Sequence, residues 1–246
     1  MGVVDKRAAD ARDLLLQDII PTQPELRHAW ARFLLSLIIR TPEEIKAFKE
    51  RIIRDLSVPD PAFQSRYDQV RKEGWPATIG EYLKQENPKM IERTAILVAT
   101  KLIQNENVLR TFMGAMWWVL DTSSVSTRVL TSDHPLIMTN GLGRPDGHFA
   151  LPISPTKVFV AFMNADFGEA VRQVPVDRIV REVNDAVIGQ GRRSVYAVDE
   201  QSTSEIERRM GKRDYMLPWS GEEEDVPGLN SNRPNEGVEE QTFQGG

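Results

Sequence analysis

One short polar stretch, residues 131–135, contains the side chains of this chain that are best suited to chemistry. Its sequence is TSDHP, and it lies between two apolar, strand-like runs. A carboxylate can act as a general base or a metal ligand, and histidine exchanges a proton near neutral pH. Asp133 and His134 are therefore candidate catalytic residues, and the hydroxyls of Thr131 and Ser132 are candidates for substrate binding.

The same stretch has a structural interpretation as a rigid corner. Asp133 can accept a hydrogen bond from a backbone N–H two residues on, which closes an Asx-turn, and Pro135 directs His134 towards extended geometry. Adjacent residues of an extended chain point to opposite faces, so Asp133 and His134 would not converge on one substrate. We favour the corner, because an Asx-turn explains these residues without catalysis.

The composition is that of an ordinary globular protein. The chain has 246 residues and a mass of 27.9 kDa, with 40% hydrophobic and 27% charged residues. It contains no cysteine, which excludes a disulfide framework, a thiol nucleophile and a zinc–thiolate site. No apolar run approaches the roughly 20 residues of a membrane span, and the first residues lack a signal-peptide core. We expect a soluble, cytoplasmic protein.

The net charge of −5 is concentrated at the C-terminal end. Residues 219–246 contain seven acidic residues and one arginine, a charge of −6, so that residues 1–218 carry about +1. A body so close to neutral has no bulk electrostatic attraction to nucleic acid. The tail is also poor in apolar residues. We predict one domain over 1–218 and a disordered acidic tail over 219–246.

Apolar periodicity and proline punctuation predict an α+β fold. The helices expected in the first 112 residues lie near 6–20, 25–39, 42–56, 62–72 and 88–103. The part from 113 to 218 is sheet-rich, with strands near 116–120, 129–130, 136–138, 149–152, 158–162 and 193–198. A late helix is expected over 176–188, ending at Gly189, and a short one over 204–212. We expect the helical half to pack on one side of an antiparallel sheet.

Four stretches together resemble the bacterial family of domains of unknown function 4238. They are FLLSLIIRTP at 33–42, the tryptophan run before TSDHP, LPISP at 151–155, and Val183-Asn184. The resemblance spans most of residues 30–200. It implies a shared fold, but it implies no reaction, because that family carries no established activity.

The chain departs from the family pattern in two places. Family members typically begin with a histidine-tyrosine-x-proline segment that has no counterpart here, so we expect a shortened member or a fragment. Apolar surface left by that difference should recruit a protein partner or promote self-association. The resemblance also implies asparagine more often than histidine at position 134. Asparagine preserves hydrogen bonding but not proton transfer, which weakens the case for His134 as an essential acid–base residue.

Two further polar residues could belong to the same site. Asn184 is polar within an apolar helix, so if it is buried it needs hydrogen-bond partners, which we expect among backbone groups near Ser132 or Ser154. In an enzyme, Asn184 and Ser154 would join Thr131 and Ser132 in binding substrate.

Other sequence features do not indicate a cofactor or a metal. The glycine-rich stretch 141–147 lacks the following helix that a dinucleotide loop requires, so we interpret it as a hairpin loop. His28 is expected at the surface. His148 could approach His134 across a hairpin and, with Asp133, supply three metal ligands, but loop histidines are far more often exposed to solvent. We predict no cofactor and no metal.

Two functions remain open. The first is a hydrolase-type enzyme in which Asp133 acts as general base or metal ligand. The second is a binding or regulatory module in which residues 131–135 only hold a corner rigid. The sequence offers no complete set of nucleophile, base and orienting residue, so we favour the module.

Removal of residues 219–246 should leave the body of the protein equally stable. Ordering costs about 1–2 kcal/mol per residue, and seven acidic groups with few apolar anchors cannot offset it. We expect a chain truncated after Pro218 to melt at the same temperature as the full chain. A decrease of many degrees would show that the tail docks on the body.

Overall fold

The structure, a computed structural model, describes residues 3–38, 61–86, 104–140 and 146–212, together with residues 46, 93, 97 and 144. Within these residues the helices are α1 (Val3–Leu16), α2 (Pro24–Leu37), α3 (Pro61–Val70), α4 (Ile79–Glu86), α5 (Glu106–Gly114), α6 (Ala165–Arg172), α7 (Val176–Gln190) and α8 (Thr203–Arg209). The strands are β1 (Met116–Asp121), β2 (Thr131–Ser132), β3 (Ile137–Thr139), β4 (His148–Ser154), β5 (Lys157–Phe162) and β6 (Val195–Tyr196).

The central element is a four-stranded antiparallel sheet in the order β1-β5-β4-β3. β5 lies between β1 and β4, with Phe159 opposite Val119 on one side and Leu151 on the other. β2 and β6 form a separate antiparallel pair. The predicted α+β class and antiparallel sheet are confirmed.

Side-chain alternation along β1 separates the two faces of this sheet. Trp117 and Val119 join an apolar core with residues of α1, α2 and α5. Leu120 joins a second core built with α7, and Trp118 packs at its edge, where the guanidinium of Arg172 lies 5.1 Å from its ring. The early helices therefore cover one face of the sheet, as predicted, and α6 and α7 cover the other.

Phe159 occupies the centre of the first core and is fully buried. Its ring packs edge-on against Trp30 of α2, at 5.5 Å between centroids, and against Trp117 of β1, at 5.3 Å. Edge-to-face pairs are favourable because the positive edge of one ring meets the negative face of the other. This aromatic set joins α2 to the middle of the sheet.

Arg27 ties α2 to the junction of α5 and β1. Its guanidinium donates to the carbonyls of Met113 (2.6 Å) and Ala115 (3.1 Å) and lies 3.8 Å from the ring centroid of Trp117. Burial lowers the pKa of Arg27. A cation at a helix C-terminus satisfies carbonyls that the helix leaves open, and it interacts favourably with the helix dipole.

Helices α3 and α4 pack through three aromatic residues. Trp75 lies 4.5 Å from Tyr82 and 6.4 Å from Tyr67, between ring centroids. The hydroxyl of Tyr67 donates to the carbonyl of Pro76 at 2.8 Å. These rings fill the space between the two helices.

Several predicted boundaries differ from the structure. The late helix continues through Gly189 to Gln190, and its cap is Gly191, whose N–H donates to Val187 O. The strand predicted over 193–198 is limited to 195–196. Residues 129–130 form no strand, because their backbone groups bind elsewhere, as described below. Helix α6 was not predicted, although its cap Asn164 accepts the N–H groups of Asp166 and Phe167.

Three other predictions concern parts of the chain outside the described residues. They are the helices expected over 42–56 and 88–103, of which only residues 46, 93 and 97 are described, and the acidic tail over 219–246. Within the described residues, no helix combines the length and apolarity needed to cross a membrane.

Substitution of Phe159 should strongly destabilise the protein. Phe159→Ala removes a buried ring and its two edge-to-face partners, and such changes typically cost about 3–5 kcal/mol. We expect the midpoint of urea unfolding, followed by tryptophan fluorescence, to decrease accordingly. Val198→Ala is the control, because Val198 is 60% exposed and should be neutral. Equal midpoints for both variants would contradict the central position of Phe159.

Candidate functional site

The stretch TSDHP lies in a long connection, residues 122–136, that leaves β1 and returns to the sheet at β3. Its beginning is held by the turn between β4 and β5: Thr122 N–H donates to Thr156 O at 2.8 Å, and Val129 N–H donates to Pro155 O at 2.9 Å. These bonds use carbonyls that the hairpin leaves open. The connection thus packs into the second core through Val129 and Leu130, and it joins the four-stranded sheet only at β3.

Asn184 of α7 holds the next part of the connection. Its side-chain Oδ1 accepts the N–H of Leu130 at 2.9 Å, and its Nδ2 donates to the carbonyl of Arg128 at 2.8 Å. Asn184 is buried and therefore needs hydrogen-bond partners, and one backbone segment satisfies both its donor and its acceptor. Backbone partners were expected near Ser132 or Ser154, and they belong to Arg128 and Leu130, the latter two residues before Ser132.

Asp133 connects this segment to the chain that follows α7. Its Oδ1 accepts the backbone N–H of Arg192 at 3.0 Å, and its Oδ2 accepts that of Arg193 at 2.9 Å. Its own N–H donates to Ser194 O at 3.1 Å. The same two segments are also paired as strands, since β2 and β6 form an antiparallel pair. The carboxylate therefore closes a corner formed by two segments about 60 residues apart in sequence.

The predicted Asx-turn at Asp133 is wrong. The residue two positions on is Pro135, which has no N–H to donate. The local turn is built instead by Ser132, whose hydroxyl oxygen accepts the N–H of His134 at 3.2 Å. The carboxylate of Asp133 is then available for the 192–193 segment.

His134 lies inside this corner, with 3% of its side chain exposed. Its Nδ1 is 3.4 Å from Oδ2 of Asp133, so the two residues predicted to point apart are in contact. The carbonyls of His134 and Leu136 both accept hydrogen bonds from Nε2 of Gln190, the second at 3.2 Å. Gln190 thus holds the end of the connection as Asn184 holds its middle.

The pKa of Asp133 reflects competing influences. Partial burial is the largest of them and raises the pKa. The N–H groups of Arg192 and Arg193 act in the opposite direction, with help from the nearby imidazole of His134 and from Ser194. The net result is a pKa below the usual value of aspartic acid. The fold therefore stabilises the ionised carboxylate.

The other candidate residues lie apart from this corner. The Ser154 hydroxyl accepts the N–H of Thr156 at 3.2 Å within the β4–β5 turn. His148 has its Nδ1 3.1 Å from Asp146 O, and its ring packs 5.3 Å from Phe167. The structure does not bring His148 together with Asp133 and His134, and the described residues contain no group of three His, Asp or Glu placed to hold a metal ion.

The family comparison agrees with the resemblance noted from the sequence. Residues 1–201 match the family described as Protein of unknown function (DUF4238). The chain belongs to the DUF4238 family. No curated protein and no solved structure matches the chain. Its function must therefore be argued from the residues of this DUF4238 protein itself.

A second feature of this DUF4238 protein lies on the opposite face of the sheet. A cleft of about 440 Å³ opens between α1, α2 and α5, and it is lined by Arg7, Pro24, Glu25, His28, Ala29, Arg32 and Met113. His28 is not simply a surface residue: only 34% of its side chain is exposed, and its Nε2 lies 3.7 Å from Oε1 of Glu106. No sequence pattern indicated this cleft, because its walls come from three separate helices.

Removal of the Asp133 carboxylate should destabilise the corner. We expect Asp133→Ala to cost about 1–2 kcal/mol at pH 7, because the N–H groups of Arg192 and Arg193 lose a charged acceptor. Asp133→Asn should cost less, since an amide oxygen can still accept one of these bonds. Urea denaturation of both variants measures the difference.

The pH dependence gives a second measurement of the same bonds. Because the folded pKa of Asp133 is lowered, its stabilisation is fully present above the unfolded pKa of about 3.9 and is lost as the pH falls through the lower folded value. The stability advantage of the parent over Asp133→Asn should therefore disappear in acid. An advantage that persists at low pH, or two variants as stable as the parent at pH 7, would contradict the corner.

Proposed function

We propose that this protein is a binding or regulatory module in which residues 131–135 are scaffolding and not a catalytic centre. The observation that carries the proposal is the use of the Asp133 carboxylate: each of its oxygens accepts a backbone N–H from residues 192–193. Such bonds define a structural role without a substrate.

The electrostatics of Asp133 support this assignment. An effective general base has a pKa near the working pH, which enzymes usually obtain for a carboxylate by raising its pKa. Here the pKa of Asp133 is lowered, because backbone N–H groups stabilise its charge. A carboxylate stabilised in this way is a weaker base than an ordinary aspartate.

The other candidate site residues also form hydrogen bonds with backbone groups. Ser132 accepts the N–H of His134, Ser154 accepts that of Thr156, and Asn184 binds backbone groups on both sides of Val129. These contacts fix the path of the connection, so the groups are not displayed towards a common ligand. The imidazole of His134 is almost fully buried, which also separates it from solvent.

The cleft between α1, α2 and α5 supports binding as the activity. It is an open depression whose wall offers charged and apolar side chains to the same ligand. It lies on the face of the sheet opposite to α7, so a ligand there would leave the corner undisturbed.

A hydrolase centred on the corner remains the second candidate, and one observation favours it. Nδ1 of His134 and Oδ2 of Asp133 are 3.4 Å apart, an ion-pair distance, and a carboxylate beside an imidazole can orient it as a base. For catalysis, the imidazole would have to become accessible to substrate.

The two functions can be separated by testing the parent protein and His134→Asn side by side. A library of metabolite-sized compounds is screened by thermal shift, and p-nitrophenyl esters are used to measure hydrolysis. We expect at least one compound to raise the Tm of both proteins equally, since a ligand that binds only the folded state stabilises it by mass action. We expect no ester hydrolysis that depends on residue 134.

Opposite results would support the enzyme. Ester hydrolysis by the parent that His134→Asn abolishes, with an unchanged Tm of the free protein, would assign chemistry to the corner. A library without any stabilising compound would contradict a small-molecule binding module.

A further inference from the structure

The cleft between α1, α2 and α5 carries more positive than negative charge in its wall. Arg7 of α1 and Arg32 of α2 are permanently charged, and Glu25 is the acid among the lining residues. Within the described part of the chain, neither arginine forms an ion pair, whereas Arg12, on the same helix as Arg7, pairs with Asp13 at 2.7 Å.

The geometry of α2 brings its part of the wall together. Three of the lining residues follow Glu25 by three, four and seven positions, namely His28, Ala29 and Arg32. The four side chains therefore lie along one face of the helix. α1 packs alongside α2 and contributes Arg7, and α5 contributes Met113. The arginines therefore belong to one concave surface instead of to scattered positions.

A third guanidinium lies immediately behind this wall. Arg27 is partly buried and donates to the carbonyl of Met113, and in the described structure its hydrogen bonds go to carbonyls and not to a carboxylate. His28 also lines the cleft, and Oε1 of Glu106 lies 3.7 Å from its Nε2. The local balance of Arg7, Arg27 and Arg32 against Glu25 and Glu106 remains positive.

The remaining wall is apolar. Pro24, Ala29 and Met113 provide aliphatic and thioether surface, and a methionine adapts its shape to different apolar groups. The volume of about 440 Å³ falls within the range of about 300–1,000 Å³ typical of small-molecule sites. A ligand that fits this wall has one charged end and an apolar body.

We propose that this cleft binds a small organic monocarboxylic acid, with its carboxylate on Arg7 and Arg32 and its apolar body on Pro24, Ala29 and Met113. Guanidinium groups bind carboxylates through paired, charge-assisted hydrogen bonds. Glu25 repels additional negative charge, which favours a monoanion over a phosphate dianion. This inference rests on the proposed function, since it names the ligand class of the binding module.

The experiment uses the full chain, labelled with ¹⁵N and with ¹³C on methionine methyls, and benzoate as the probe. Benzoate at pH 7.5 should produce saturable NMR shifts in the amides of His28 and Ala29 and in the methyl of Met113. Benzyl alcohol, which has the same ring without the charge, should produce none that saturate. Phenyl phosphate should bind more weakly than benzoate.

Matched variants test the two arginines. Arg7→Gln and Arg32→Gln should each weaken benzoate binding by about tenfold or more, because each removes one charged donor. Arg12→Gln makes the same chemical change on α1 outside the cleft and should leave the affinity unchanged. All three positions are at least partly exposed, and unchanged Tm values of the free proteins confirm that the variants are folded.

Several results would overturn the assignment. They are the absence of saturable shifts with benzoate, equal weakening by Arg12→Gln, saturable binding of benzyl alcohol, and tighter binding of phenyl phosphate. If benzoate fails while another library compound stabilises the protein, the ligand class is wrong and the binding module stands. If no compound binds, the proposed function fails as well.

Discussion

Packing on the face of the sheet that α6 and α7 cover depends on hydrogen-bond partners for the backbone of one long connection. Residues 122–136 cross that face with only two residues in a strand, so most of their N–H and C=O groups lack the partners that a sheet provides. A buried backbone group without a partner is costly. The chain supplies these partners from side chains of α7, Asn184 and Gln190, and from the Pro155-Thr156 turn. The position of α7 therefore determines the path of the connection.

The same constraint accounts for the hydrogen bonds that Asp133 makes. At Asp133 the roles are exchanged: a side chain of the connection accepts hydrogen bonds, and the backbone after α7 donates them. Its lowered pKa follows from those donors, and a carboxylate held in its ionised form gains nothing as a proton acceptor. Residue types alone suggested acid–base chemistry, whereas the observed hydrogen bonds of Ser132 and Asp133 join backbone segments.

Local patterns predicted the elements whose neighbours are close in sequence. The strand predicted near 116–120 is observed at 116–121, and a 3.6-residue period located α7 to within two residues of its observed end. The bonds that define the site were not predictable in this way. Arg192 and Arg193 are about 60 residues from Asp133, and no periodicity links them. The predicted Asx-turn was wrong for a reason visible in the local sequence, because Pro135 has no N–H to donate. Arg27 was missed because its partners are carbonyls of another helix.

The sheet separates the corner from the cleft, so the two sites are built from different residues. The corner draws its partners from α7 and from residues 192–194, whereas the cleft is built from α1, α2 and α5 on the opposite face. Arg27 and Phe159 lie on the cleft side and hold α2 against the sheet, so the wall of the cleft is fixed by packing that the corner does not share. Sites without common partners usually contribute additively to the free energy. Substitutions in the lining of the cleft should therefore leave the stability contributed by the corner unchanged.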